Sequence, residues 1–214
     1  MVRIPGRRSA RDPGPVTITS RLLPSLLDEE KLAARGPVNI LDLGRANSSS
    51  LEFFNRFPCR LTVLDAAESL IEWSRRLEQR MEDPPSQQQM QHELAGLLRT
   101  PQGTLPFDIV FLWDTFNHLH EYALPAFAAL LRKELAPGFK GHGFMLHKRG
   151  TEQQLRHMGL AGPDLVRINE SHDTPLYAHN RRVVNDALGP ALQVDHGVLH
   201  GDGRLEFLLT QGRA

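Results

Sequence analysis

Three features of the 214-residue chain predict a three-layer α/β/α sandwich with a mostly parallel sheet and a C-terminal antiparallel hairpin. Short apolar runs, too brief for helices, recur along it. Segments with apolar residues every three or four positions separate them. Near the C-terminal end the pattern changes to strict alternation on either side of Gly201-Asp202-Gly203. Strands that alternate with helices pair in parallel through right-handed crossovers and need helices on both faces, whereas a short glycine turn joins antiparallel neighbours.

Residues 1–16 hold three prolines, two glycines and four arginines without periodicity, and read as a disordered arm before a single domain at 17–214. Ser25 and Asp28 have capping-box spacing beside Pro24, and Gly36-Pro37 breaks the helical pattern after Arg35, so a helix is predicted over 24–35. Val38 to Gly44 is a buried strand, Leu51 to Phe57 a helix, and Arg60 to Asp65 a second buried strand. Leu70, Ile71, Trp73 and Leu77 mark an amphipathic helix over 68–81. The polar stretch 82–91 reads as a mobile loop, followed by a weak helix over 93–99 and at most a short strand. Phe107 to Trp113 is a strong buried strand, Asp114 to Leu119 a loop, Tyr122 to Leu135 a helix closed by Pro137-Gly138, and Gly143 to His147 a strand. Helices are predicted over 151–158 and 180–188, each stopped by glycine, before the closing hairpin of Leu192–His200 and Arg204–Gln211.

Composition narrows the function classes. With 40% hydrophobic and 23% charged residues, the chain can build a core that buries roughly 70% of its unfolded surface. Lys plus Arg and Asp plus Glu both total 25, so no global field draws the protein to nucleic acid or anionic lipid. The lone Cys59 forms no internal disulfide, Cys-rich zinc site or CxxC pair, which fits a reducing, cytoplasmic compartment. No apolar run approaches the ~18 residues of a membrane span, and the arginines near residue 1 precede no signal-peptide core.

In an open α/β sheet the ligand lies at the carboxyl ends of the strands, where strand order reverses. Three positions meet that rule. The loop Asp42-Leu43-Gly44-Arg45-Ala46-Asn47-Ser48 is built of small residues that let a ligand approach the backbone. Asp65, with Ala66 behind it, follows Asp42 by 23 residues, the spacing of a carboxylate that accepts hydrogen bonds from ribose hydroxyls. Trp113 and Asp114 end the strand expected beside the first.

With these residues in place, the chain resembles the class I S-adenosylmethionine-dependent methyltransferases. Ile40-Leu41-Asp42-Leu43-Gly44 looks like their first motif, Leu64-Asp65 like the second, and Phe107-Asp108-Ile109-Val110 with Asn117-His118-Leu119 like the fourth. Leu135-Ala136-Pro137-Gly138 resembles the turn before strand five. The resemblance implies a Rossmann-like methyltransferase fold over about residues 24–211, S-adenosylmethionine as cofactor, and a cofactor site made of Asp42, Gly44, Arg45, Ala46, Asp65, Ala66 and Trp113. The implied reaction is displacement of a sulfonium methyl by an acceptor atom, with Asp114 or His118 as general base.

The chain departs from the family where three glycines are usual. It has Gly44, then Ala46 and Ser48, each with a Cβ at a place where the loop is expected to adopt positive φ. A methyltransferase-like protein that has lost catalysis and serves as a binding or scaffold partner is therefore the alternative. Trp113-Asp114-Thr115-Phe116 stands where amino-methylating nucleic-acid enzymes carry (D/N)PP(Y/F), which favours a small-molecule or lipid-like acceptor, and residues 148–180, with His172, Tyr177 and His179, are expected to cover its pocket. No HExxH occurs among the ten histidines, so no metal is expected. A nicotinamide dehydrogenase would need GxGxxG where Gly44, Ala46 and Ser49 stand.

Overall fold

The computed structural model describes residues 16–147 and 153–212. A six-stranded sheet forms its centre, in the order β3 (Cys59–Val63), β2 (Val38–Asp42), β4 (Phe107–Trp113), β5 (Leu135–Leu146), β9 (Arg204–Gln211) and β8 (Leu192–Leu199). The first four are parallel. β9 runs antiparallel between β5 and β8, which makes the predicted terminal hairpin. β2 and β4 are apolar on both faces because helices cover both. Helices α4 (Ala67–Glu78), α5 (Gln87–Leu97), α6 (Leu124–Glu134) and α7 (Arg181–Leu188) share one core with the sheet through Leu70, Trp73, Leu94, Phe127 and Val184. On the opposite face α1 (Leu23–Leu26), α2 (Glu29–Arg35) and α3 (Ser48–Phe54) bury Leu23, Leu32 and Phe53 against Ile40 and Phe111.

That second face also carries an element foreign to the predicted sandwich. β1 (Val16–Thr19), β7 (Leu165–Asp173) and β6 (Gln154–Leu160) form a separate antiparallel sheet, and its Met158, Leu160, Val166 and Ile168 join the same core. The helix expected over 151–158 is thus a strand from Gln154 onward, with 151 and 152 outside the described residues. Buried and half-buried side chains alternate only from Gln154 to His157, and all four residues from His157 to Leu160 are buried, so the period-2 signal is too short to set the strand apart from a helical turn. Gly159 is not a helix stop. It lies against Asn47, whose amide a Cβ there would overlap.

Four further expectations change. The helix over 24–35 breaks at Leu27-Asp28, since Asp28 rather than Ser25 is the cap, its carboxylate accepting from the Lys31 amide at 3.1 Å. The segment 82–91 is no loop beyond its first residues: Ser86 and Gln89 form a reciprocal capping box that starts α5, and Met90 is buried. No strand lies between β3 and β4. β5 begins at Leu135, directly after α6. The arm 1–16 falls outside the described residues except Val16, which opens β1. No helix among the described residues is long and apolar enough to cross a membrane.

Candidate functional site

The chain passes from β2 to β3 on one side and reaches β4 on the other, so strand order reverses between β2 and β4. Their carboxyl ends are tied into one unit. The Leu43 amide donates to Phe111 O at 3.0 Å, the Leu64 amide to Asp42 O at 2.9 Å, and the Asp65 and Ala66 amides to Gly44 O and Leu43 O at 3.1 and 3.2 Å. This crevice brings Asp42, Gly44, Arg45, Asp65, Ala66, Trp113, Asp114 and His118 to one end of the sheet.

Asp42 is buried. Its Oδ1 accepts from the Gly44 amide at 2.8 Å and from the Trp113 indole N–H at 2.6 Å. Burial raises its pKa to about 6, against the opposing pull of these two donors. Trp113 stacks on Phe111 with ring centroids 5.4 Å apart and covers Gly44 so closely that a Cβ added there would stand 2.6 Å from the indole. Glycine is required at 44 by this approach of the indole, not by an unusual φ.

Among the described residues, two non-glycine residues have positive φ: Asp65 at +44° and Trp113 at +48°. Both end strands at the crevice, and left-handed backbone at such residues stores strain of order 1–3 kcal/mol. Ala46 and Ser48 are not among them, so their Cβ atoms do not strain the loop in the way the altered glycine motif suggested. Asp65 is exposed at the rim. Arg45 reaches it at 3.5 Å and also contacts Glu68 at 3.1 Å and Glu170 at 3.4 Å, so this loop cation is shared among three carboxylates. Ala66 is buried and Ala46 is exposed.

Asp114 and His118 meet. The Asp114 Oδ1 lies 3.1 Å from the His118 Nε2, both residues buried at 2% exposure, but the contact lacks hydrogen-bond geometry: Asp114 Oδ2 and both ring nitrogens of His118 have no hydrogen-bond partner among the described residues. Burial pushes the Asp114 pKa up, but the neighbouring His118 and the Arg204 charge outweigh it and hold the carboxyl below its ordinary value. A buried carboxylate against an imidazole with a vacant ring nitrogen is a proton-accepting arrangement.

The stretch expected to cover the pocket, 148–180, does supply a roof, but from strand β6 and through residues the sequence did not single out. Arg156, His157 and Met158 of β6 line the crevice opposite Gly44 and Trp113, and the Asn47 amide donates to Met158 O at 3.4 Å. Leu155, His157 and Gly159 alternate with Arg156, Met158 and Leu160, which was the available signal for this strand. With the roof and the indole in place, the crevice encloses about 10 Å³. That is about one water's worth of space. A separate apolar cavity of about 210 Å³ lies between the sheet, α5 and α6, lined by Leu41, Leu43, Leu98 and Phe127. Tyr177 and His179 line an open depression of about 290 Å³ with His120 and Glu121, and the Tyr177 amide donates to Asn117 O at 2.9 Å. His172 lies elsewhere, on the exposed part of β7.

No protein-family model and no curated protein matches the sequence. Solved structures do match. A S-adenosylmethionine-dependent methyltransferase from Clostridium acetobutylicum ATCC 824 is 13% identical with a TM-score of 0.51, over 92% of this chain and 93% of its own. The fold is that of the S-adenosylmethionine-dependent methyltransferases. A 1,6-didemethyltoxoflavin-N1-methyltransferase from Burkholderia thailandensis, solved with its acceptor and S-adenosylhomocysteine, is 14% identical at a TM-score of 0.49, over 90% of this chain and 78% of its own.

The crevice can be compared with the cofactor by its residues and by its space. The residues suit it: an exposed carboxylate at the end of β3, backbone groups of a small-residue loop, and a buried aromatic wall. The space is narrow beside Gly44, where the Trp113 indole stands and the cavity measures about 10 Å³.

Proposed function

We propose that the protein is a S-adenosylmethionine-dependent methyltransferase acting on a small-molecule acceptor. The observation that carries this reading is Asp65, an exposed carboxylate held on a strained left-handed residue where β3 ends beside the β2 loop. Strain of that kind persists only where the surrounding structure over-determines it, and it clusters at active sites and ligand clamps. When bound, the cofactor supplies an electrophilic sulfonium methyl. Asp65 would hold its ribose hydroxyls, with Arg45 giving up one of three carboxylate contacts, and the backbone from Leu43 to Arg45 would supply further hydrogen-bonding groups. Asp114 lies beside the imidazole of His118, 3.1 Å from Nε2, and the pair would take the proton of an acceptor that must lose one. The depression beside His120, Tyr177 and His179 approaches the size of small-molecule sites, which suits an acceptor of that class, and Trp113-Asp114-Thr115-Phe116 lacks the prolines of base-amine methylation.

One observation favours a second reading, a methyltransferase-fold domain without catalysis that serves as a binding partner: the indole of Trp113 occupies the room above Gly44. Calorimetric titration with S-adenosylhomocysteine separates the two. Binding by the wild type that Asp65→Ala weakens by about 1.5–3 kcal/mol, roughly tenfold to more than a hundredfold, supports methyl transfer. Wild type silent at millimolar ligand, together with a silent Trp113→Phe variant whose smaller ring frees part of the crevice, overturns it in favour of the second reading.

A further inference from the structure

His157 on β6 and Glu170 on β7 are register partners across the small sheet, and His172 stands two residues further along the same face of β7. A bulge follows His157, between it and Met158, and such bulges re-aim side chains. Each of the three residues offers one ligand atom, and these atoms lie within 4.8 Å of one another. His172 Nε2 is already 3.6 Å from a Glu170 oxygen, and the two imidazole rings are 5.8 Å apart. His157 is buried at 5% exposure, and its Nε2 has no hydrogen-bond partner among the described residues.

We infer that His157, Glu170 and His172 form a binding site for a single first-row divalent cation of the zinc or cobalt type. Two imidazoles and a carboxylate are the donor set these borderline ions prefer, and three protein ligands leave a coordination position open for water or an acceptor heteroatom. Bond lengths of about 2.1 Å separate tetrahedral ligand atoms by about 3.4 Å, so the cluster must contract. Glu170 and His172 are exposed and free to turn inward, while His157 supplies the fixed point. Arg45 is the competitor: its guanidinium now lies 3.4 Å from Glu170, and a bound cation displaces it toward Asp65 and Glu68. The site also borders the crevice through His157. It rests on these three side chains alone and stands whether or not the crevice transfers methyl groups.

The test is a titration of chelator-stripped full-length protein with Co²⁺, followed by its visible absorption, and then competition with Zn²⁺. Expected are one equivalent of bound Co²⁺ displaced by Zn²⁺, an affinity loss of roughly tenfold or more in both His172→Ala and Glu170→Gln, and tighter binding in Arg45→Ala. The two ligand variants alter exposed side chains and keep the wild-type melting temperature, so a loss reports on the site rather than on folding. No saturable band, or a band that both variants retain unchanged, overturns the proposal.

Discussion

The indole nitrogen of Trp113 donates to the buried carboxylate of Asp42 at 2.6 Å, linking the ends of β4 and β2 across the point where strand order reverses. The bond keeps the indole over Gly44 and gives Asp42 one of its two donors. Both partners are nearly inaccessible to water, which makes the pair costly to break from one side.

Trp113→Phe should destabilise the protein by about 1–3 kcal/mol, because a buried carboxylate loses a donor that water cannot replace. Asp42→Asn keeps an acceptor for the indole and should cost less. In a double-mutant cycle by urea denaturation, Trp113→Phe and Asp42→Ala, each of which removes the bond, should show a coupling of about 0.5–3 kcal/mol. Additive effects would mean that the contact holds nothing.

Asp42 sets a pH dependence of unusual sign for an acid. Its folded pKa of about 6 lies above its ordinary value of 3.8, so the protonated form is the one the fold prefers. The contribution is fully present below pH 3.8 and is lost as pH rises through 6, a loss of about 3 kcal/mol. Urea melts across this interval should show wild-type stability declining relative to Asp42→Asn. Parallel pH profiles would remove the assignment.

Glu206 should be among the least tolerant positions. It is wholly buried on β9 and accepts from the His142 ring at 2.9 Å, the His200 ring at 2.8 Å, the Arg21 and Leu22 amides at 3.2 Å, and the Ser20 hydroxyl. Burial holds His142 below its ordinary pKa, so at neutral pH it acts as an N–H donor and not as a cation. Glu206→Ala strands these donors and should cost about 3–5 kcal/mol. Equilibrium unfolding that gives a loss under about 1 kcal/mol would show the network to be slack.

Truncation after Asp202 should yield insoluble or molten protein. It removes β9, which lies inside the sheet between β5 and β8, and with it the fully buried Phe207 and Leu209. Removing two such side chains alone costs several kcal/mol, comparable to the net stability of a domain. Loss of near-ultraviolet dichroism and of a cooperative melt is the expected result. A soluble, cooperative fragment would make the hairpin an appendage.

The centre of the large sheet was legible because β2 and β4 are buried on both faces. Phe107–Trp113, apolar apart from Asp108, has boundaries that the structure reproduces. α5 was not, since three glutamines start it and only Met90 and Leu94 are buried; its beginning rests on side-chain capping by Ser86, a local hydrogen-bond effect that hydrophobic periodicity cannot register. β6 and β7 escaped for a related reason: the outer half of β7, from Asn169 to Asp173, is polar and exposed. Within the site, the spacing of Asp42 and Asp65 marked the strand ends. The position of Trp113 did not follow from spacing, because it depends on a left-handed backbone that no glycine announces. The His157 cluster comes from two strands of a sheet the pattern did not predict.

The carboxylate of Glu206 also dictates the timing of folding in the cell. Ser20 is translated 186 residues before the side chain that receives its hydroxyl. At roughly 5–20 residues per second, the segment Ser20–Leu22 waits roughly ten to forty seconds for its acceptor, and β5 waits in turn for the neighbour on its open edge. During synthesis the nascent chain therefore carries an unpaired strand edge and unsatisfied amides, which makes it a client for chaperones until β9 emerges from the ribosome.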